Sequence, residues 1–390
     1  MEKIKVGLIG LGARGYYMVE QLCGMDNYEM IAVCDKYEDR TDAAAGLIKK
    51  LTDKDVLRFT DYHALLDTPG LDAVMIITGW EEHFPASIEA MKRGIAVGCE
   101  VGGAYSVQDC FELVKVQRET KTPFMLLENC CYGRYEMLVM NMVKLGLFGE
   151  VISCEGGYRH DLRTEVLFGA ENRHYRLENY KHRNCENYPT HDLGPIAQIL
   201  DINRSNRFVS LCSFSSKSAG LNDYAALHGE VDRQFVDYPF AQGDVVKTVI
   251  KCSEGQLVTL TLDTTLPRPY SRNFVVQGTR GMYCEDGNYV YLDTDFTVYD
   301  HFDWIKHYNN AEEYLKKYEH PVWEKFLNDG VRGGHGGMDF LVYDEFARCL
   351  IEGRPFPITV EDAASWMAVT PLSAISIKEG KAVDFPDFTK

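Results

Sequence analysis

The chain has 390 residues, which is room for two domains of ordinary size, each with its own core. Hydrophobic residues make up 45% and charged residues 25%, the balance of a globular protein, and no run approaches the roughly 20 apolar residues that span a bilayer. The formal net charge of 41 − 58 = −17 argues against nucleic acid or an anionic membrane as a partner, and it says little about a small uncharged ligand.

Met1-Glu2-Lys3-Ile4-Lys5 enters an apolar run at once, so no signal peptide is expected and a cytoplasmic location is. Of the 12 cysteines, Cys23, Cys34, Cys99, Cys212 and Cys252 fall inside apolar patterns and none forms a CxxC pair. Buried reduced thiols are expected rather than disulfides, with no metal site.

Residues 5–9 read as a strand, followed by Gly10-Leu11-Gly12-Ala13-Arg14-Gly15 and a helix over 16–23. In this setting the first glycine makes the tight turn, the second admits a pyrophosphate and the third lets helix pack on strand. The helix N-terminus then offers N–H groups to the phosphates. A second strand, 30–34, ends in Asp35, twenty residues after Gly15, where a carboxylate binds the adenosine ribose hydroxyls. NAD is expected over NADP, although Lys36 and Arg40 stand nearby.

The βα rhythm continues with strands at 73–78 and 95–99, helices at 84–92 and 107–120, and the apolar strand 123–127. Strand ends carry Gly79-Trp80-Glu81-Glu82-His83, Glu100-Val101-Gly102-Gly103 and Glu128-Asn129. In a doubly wound sheet these turns open on the cofactor crevice. Trp80 and His83 are expected either at the nicotinamide side or simply packing the turn. Residues 1–127 are therefore assigned to a dinucleotide-binding Rossmann domain in an α/β protein.

After a helix at 136–147 the pattern changes. Strands at 151–158, 209–214, 245–252, 256–264, 273–278 and 282–284 follow one another with few helices. This predicts an α+β domain over 128–390 with a mostly antiparallel sheet, serving substrate binding and oligomerisation. One exposed sheet face is the expected surface of a homo-oligomer, a dimer or tetramer. Helices at 340–352 and 361–378 close the chain, the C-terminal one expected to pack back on the first domain. Gly333-Gly334-His335-Gly336-Gly337 is expected as a flexible loop that either covers the site or only connects.

Three segments of the second half are dense in chemically able side chains: Tyr158-Arg159-His160-Asp161, Arg173-His174-Tyr175-Arg176, and Asn187-Tyr188-Pro189-Thr190-His191. Tyr188 and His191, three apart at a helix start, can share a face. A histidine beside a nicotinamide can take the proton of a hydroxyl whose carbon loses hydride. Singly, each side chain reads as a core aromatic, a loop histidine or a surface ion pair. Together they mark Tyr158, Tyr188 and His191 as the site.

With these residues the chain resembles the Gfo/Idh/MocA oxidoreductases over its full length. Within them it is most similar to the NAD-dependent glycosidases whose founding members are α-N-acetylgalactosaminidases. The matches are Gly10, Gly12, Ala13, Arg14, Gly15, Asp35, Trp80, His83, Glu100, Val101, Glu128 through Arg134, Gly157-Tyr158, Tyr188-Pro189-Thr190-His191 and Pro267-Arg268-Pro269-Tyr270. Ordinary dehydrogenases of the family have Glu-Lys-Pro where this chain has Glu100-Val101-Gly102, and Asp-x-x-x-His where it has Asn187 through His191.

The resemblance implies hydrolysis by a redox route, with NAD held tightly and recycled in place. Carbon 3 of the sugar is oxidised, the anomeric group is eliminated, water adds and carbon 3 is reduced again. It implies His191 for the carbon-3 hydroxyl proton, Tyr158 for the carbon-2 proton, Glu128 as general acid/base and Tyr188 in support. Ala13, Arg14, Trp80, His83, Glu100, Val101 and Asn129 would join the glycines and Asp35 around the cofactor. Tyr158, His160, Arg176, Tyr188, His191 and Tyr270 would hold the sugar. The alternative is a sugar or inositol dehydrogenase that releases NADH. The sugar, linkage and aglycone stay open.

Overall fold

The computed structural model describes residues 3–295 and 302–390; Met1 and Glu2, with which the N-terminal run begins, lie outside the described residues. The chain divides into two compact units, one of residues 1–129 with 332–364, the other of residues 130–331 with 365–390.

The first unit is built on six parallel strands: β1 (Ile4–Ile9), β2 (Tyr28–Cys34), β3 (Leu57–Phe59), β4 (Ala73–Ile76), β5 (Ala96–Cys99) and β6 (Phe124–Leu126). Their order is β3-β2-β1-β4-β5-β6. The order reverses direction after β1, so the turns after β1 and β4 flank the switch point where such sheets bind ligands. β4, β5 and β6 are buried at every residue, the continuous apolar runs of strands covered on both faces. The linking helices are α1 (Ala13–Cys23), α2 (Glu38–Thr52), α3 (Tyr62–Leu66), α4 (Trp80–Lys92) and α5 (Val107–Thr120). Ser106 and Asp109 form a capping box at the start of α5.

Two helix starts differ from expectation. α1 begins at Ala13, three residues early, because Gly12 already serves as its N-cap. α4 begins at Trp80, with Glu81 and Glu82 in its first turn facing the positive end of the helix dipole. Pro85, which reads as a helix start, lies inside this helix. Trp80 and His83 therefore sit on α4 itself rather than in a turn before it.

The helix Met338–Glu352 belongs to this first unit. Tyr28 Oη donates to the Tyr343 carbonyl at 2.6 Å, and Asn27 Nδ2 donates to Asp344 Oδ1 at 3.0 Å. The last helix, Val360–Glu379, starts in the first unit and continues from Ser365 in the second. The return to the first unit expected of the C-terminal helix is made by the helix before it together with the first turn of the C-terminal helix itself, where Glu361 pairs with Arg118 at 3.4 Å. The second half of the long helix is tied to the rest of its own unit, where Ser373 Oγ accepts the Glu186 N–H at 2.8 Å and Ser376 Oγ the Ser213 N–H at 2.9 Å.

The second unit holds an eight-stranded sheet of β7 (Val151–Arg159), β8 (Phe208–Ser215), β9 (Val245–Cys252), β10 (Leu257–Asp263), β11 (Val275–Gly278), β12 (Gly281–Cys284), β13 (Tyr289–Leu292) and β14 (Val383–Asp384). The order is β13-β12-β11-β7-β10-β9-β8-β14, antiparallel except where β7 and β10 run parallel. The expected Rossmann domain and mostly antiparallel domain are both present. β9 alternates buried and exposed residues along its length, so one face of the sheet is packed and the other open. Ile152, Phe214, Val249 and Leu257 are exposed on these strands. All 12 cysteines are free, nine of them buried.

Candidate active site

In the first unit the glycine loop is shaped by contact. A Cβ on Gly15 would sit 1.9 Å from the Gly10 carbonyl oxygen, so only glycine lets α1 close on β1. The carboxylate of Asp35, at the end of β2, accepts the Leu11 N–H at 2.7 Å and the Tyr37 N–H at 3.0 Å. Arg40 Nη1 lies 3.6 Å from it. Gly12 caps α1 without any side-chain bond, which leaves the first-turn N–H groups to a ligand. An uncapped helix N-terminus at the switch point, with a strand-end carboxylate beside it, fits a dinucleotide.

Arg14 faces two carboxylates. Its Nε donates to Glu100 Oε1 at 3.0 Å, and its two terminal nitrogens donate to Asp339 at 2.8 and 2.9 Å. Asn129 Nδ2 donates to the same Asp339 at 2.8 Å. The Tyr343 hydroxyl reaches Glu100 Oε1 at 3.4 Å. Two expected cofactor residues, Arg14 and Asn129, are thus joined through an aspartate that the sequence did not single out, and Arg14 bridges it to a third, Glu100. Its signal was a charged residue at the head of an apolar helix.

Trp80 is buried and stands against Gly102, where a Cβ would lie 2.4 Å from the indole Cδ1. The departure from Glu-Lys-Pro at Glu100-Val101-Gly102 is coupled to this packing: a proline ring at 102 would occupy the indole's place. Val101 is buried beside it, its N–H 3.3 Å from Glu100 Oε2. His83 Nε2 lies 3.2 Å from the Thr78 carbonyl, which makes Nε2 the protonated nitrogen. Burial pushes the His83 imidazole down to about 4, so it is neutral at pH 7. Glu128 is buried just past β6.

In the second unit all six expected sugar residues come together. Tyr158, on β7, has its ring centroid 4.4 Å from Tyr188, 5.8 Å from His191, 5.8 Å from His160 and 6.4 Å from Tyr270. Tyr188 and His191 are 4.9 Å apart edge-on, with Tyr188 Oη 3.4 Å from His191 Nε2. The helix carrying His191 runs Thr190–Ile199, so Tyr188 lies just before it rather than in its first turn. Arg176 starts its own helix, is buried, and places its guanidinium 5.0 Å from the Tyr188 ring and 5.8 Å from the Tyr158 ring. Glu165 holds its Nε at 2.6 Å. Burial pushes the Tyr158 phenol up to about 12, against the opposing charge of Arg176.

Two more groups join this cluster. Cys130 Sγ lies within 4.8 Å of a His191 ring nitrogen and receives Arg272 Nη1 at 3.7 Å. Arg272 is ion-paired with buried Glu136, and its carbonyl accepts the Gly157 N–H at 2.6 Å, tying this segment to the strand of Tyr158. Its place two residues after Tyr270 in an extended run was the available sign. Glu186, two residues before Tyr188, is fully buried; Oε1 accepts the Tyr188 N–H at 3.4 Å, and burial pushes the carboxyl up to about 8.

Residues 4–127 match the model of an oxidoreductase family with an NAD-binding Rossmann fold, and residues 132–390 match that of the glycosyl hydrolase 109 C-terminal domain. A glycosyl hydrolase family 109 protein of Stenotrophomonas maltophilia is 36% identical, over 99% of this chain and 89% of its own. An alpha-N-acetylgalactosaminidase of Tannerella forsythia is 36% identical over 99% and 86%, and one of Shewanella oneidensis 35% over 100% and 86%. Among solved structures, an oxidoreductase from Agrobacterium radiobacter in complex with NAD+, L-tartaric acid and magnesium is similar in fold, with a TM-score of 0.69 at 15% identity over 98% of this chain and 99% of that one. A myo-inositol 2-dehydrogenase from Lactobacillus plantarum has a TM-score of 0.67 at 16% identity over 99% and 100%.

Proposed function

Because the chain belongs to glycosyl hydrolase family 109, we propose that it is an NAD-dependent glycosidase. It cleaves a glycoside by transient oxidation at sugar carbon 3, elimination of the anomeric group, addition of water and re-reduction. The observation that carries this reading is the cluster of Tyr158, Tyr188 and His191 under the Arg176 guanidinium. Proton-transfer groups suited to carbons 2 and 3 are gathered there in place of the paired carboxylates of ordinary glycosidases.

Bound NAD supplies a reversible hydride acceptor, held by the backbone of Gly10, Gly12, Ala13 and Gly15 and by Asp35. His191 takes the carbon-3 hydroxyl proton as hydride leaves and gives it back at the end. Tyr158 removes the carbon-2 proton once the neighbouring ketone has acidified it. Its resting phenol is protonated at pH 7, so this step uses the phenolate form that the Arg176 cation favours. Glu128 assists the leaving group and then the entering water. Arg176, Tyr188, His160 and Tyr270 hold the sugar hydroxyls.

With no net redox change the nucleotide stays bound through many turnovers. The relatives named alpha-N-acetylgalactosaminidase make that glycoside the first to test. Among the described residues no helix is long and apolar enough to cross a membrane, and the reading places the enzyme in the cytoplasm. It assembles as a homo-oligomer through the open sheet face bearing Ile152, Phe214, Val249 and Leu257.

The test supplies p-nitrophenyl glycosides without added NAD and follows nitrophenol together with absorbance at 340 nm. Many turnovers of nitrophenol with flat 340 nm absorbance are expected. Nitrophenol-free, stoichiometric NADH formation would refute hydrolysis and favour the sugar dehydrogenase.

A further inference from the structure

We propose that Asp339, at the head of the helix Met338–Glu352, is a positioning residue that sets how long the nucleotide stays bound. The inference rests on the NAD reading above and concerns the first unit alone.

The Asp339 side chain is fully buried, and an unpaired carboxylate there would be strongly unfavourable. It receives four donors: the two terminal nitrogens of Arg14 at 2.8 and 2.9 Å, Asn129 Nδ2 at 2.8 Å and His335 Nδ1 at 2.8 Å. Burial would raise its pKa, but the His335 and Arg14 bonds outweigh that and hold it well below the usual carboxylate range. The carboxylate is therefore ionised at every working pH and the four bonds persist.

The four donors belong to three residues, each from a different segment of the first unit. Arg14 lies in the first turn of α1, the turn whose N–H groups would face the phosphates of a bound nucleotide. Its other edge grips Glu100 after β5, so both sides of the planar fork are engaged. Asn129 follows β6. His335 lies in the run Gly333-Gly334-His335-Gly336-Gly337, which closes against α1: a Cβ on Gly334 would fall 2.2 Å from Tyr17 Oη. That glycine-rich run is thus part of the nucleotide-holding apparatus.

Arg14, held by two carboxylates, acts by fixing the pitch of the first turn. A bidentate pair is the geometry that resists rotation of the guanidinium. Removing the charge at 339 frees one edge of Arg14, lets the first turn of α1 and the 333–337 run move apart, and opens the phosphate end for release.

The experiment measures nucleotide content after gel filtration and the release rate of bound NAD by exchange against labelled NAD. Asp339→Asn is expected to release NAD at least 10-fold faster, with an unchanged far-UV spectrum and an apo melting curve close to that of the parent. The double variant Asp339→Asn with Arg14→Gln should release no faster than the faster single variant, because the two act through one contact. His335→Ala, at a half-exposed donor, should speed release about threefold and covers the case in which Asp339→Asn does not fold.

Release at the parental rate in Asp339→Asn, or in His335→Ala if that is the variant in hand, overturns the inference. Additive effects of Asp339→Asn and Arg14→Gln overturn it as well. A parent protein that neither contains nor takes up NAD refutes the NAD reading itself, and this inference with it.

Discussion

Glu186 gives the sharpest physical test of the second unit. It is fully buried, Oε1 takes the long Tyr188 N–H bond at 3.4 Å, and the Oε2 side is poorly satisfied. Burial pushes its carboxyl from 4.5 up to about 8, against weaker opposing bonds from the Tyr188 and Leu262 backbone. Below pH 4.5 the group is protonated whether the chain is folded or not. Between pH 4.5 and 8 the unfolded chain has released this proton and the folded one still holds it, so stability falls as pH rises. At about 1.4 kcal/mol per pH unit over that interval the loss totals about 5 kcal/mol, and it levels off above pH 8. Glu186→Gln keeps the shape and removes the titration. Urea denaturation of parent and variant at pH 5, 7 and 9 should show the variant less stable or equal at pH 5 and gaining on the parent by several kcal/mol at pH 9, while other titrating groups cancel in the difference. Parallel pH dependence for the two proteins would refute burial of an ionisable Glu186.

Gly102→Ala should lower stability by about 1–3 kcal/mol, since the new methyl meets the Trp80 indole, and adding Trp80→Phe should recover part of it in thermal melts. Equal melting temperatures for Gly102→Ala and the parent would contradict the close packing. Tyr158→Phe should still let a bound sugar reduce the nucleotide, seen at 340 nm in a single turnover, yet block carbon-2 deuterium exchange in D₂O. In the parent that exchange should rise about tenfold per pH unit from pH 7 to 9, because the phenol titrates at about 12 and only its small ionised fraction takes the proton.

The sheet domains and their order were legible because two periodicities are unmistakable in the chain. Fully apolar runs at β4, β5 and β6 alternate with helical patterns, and β9 then alternates residue by residue. The sugar cluster was legible because Tyr158, Arg176, Tyr188 and His191 fall in three short dense segments. What escaped is long-range. That Asp339 bonds Arg14 across 325 positions, or that Arg272 reaches back to Glu136 and Cys130, leaves no local trace. Helix α2 was also unread, since only Thr41, Ala44 and Ile48 of its fifteen residues are buried and its apolar stripe is thin. The start of α4 was placed at 84 instead of Trp80, since its first turn, Trp80 to His83, reads as well as the end of a strand turn.

The nucleotide-binding unit is assembled from two stretches of chain that are 202 residues apart, the span from 130 to 331 lying between them. During synthesis, residues 1–129 leave the ribosome long before the partners of Tyr28, Asn27 and Arg14 exist. This half therefore cannot finish folding until residue 364 has emerged, and a gene fragment stopping at 129 would encode a sheet with its closing helix missing. Cofactor capture is correspondingly a late event in the life of the nascent protein, coming after strands β7 to β13 of the second unit have been synthesised and before β14 has.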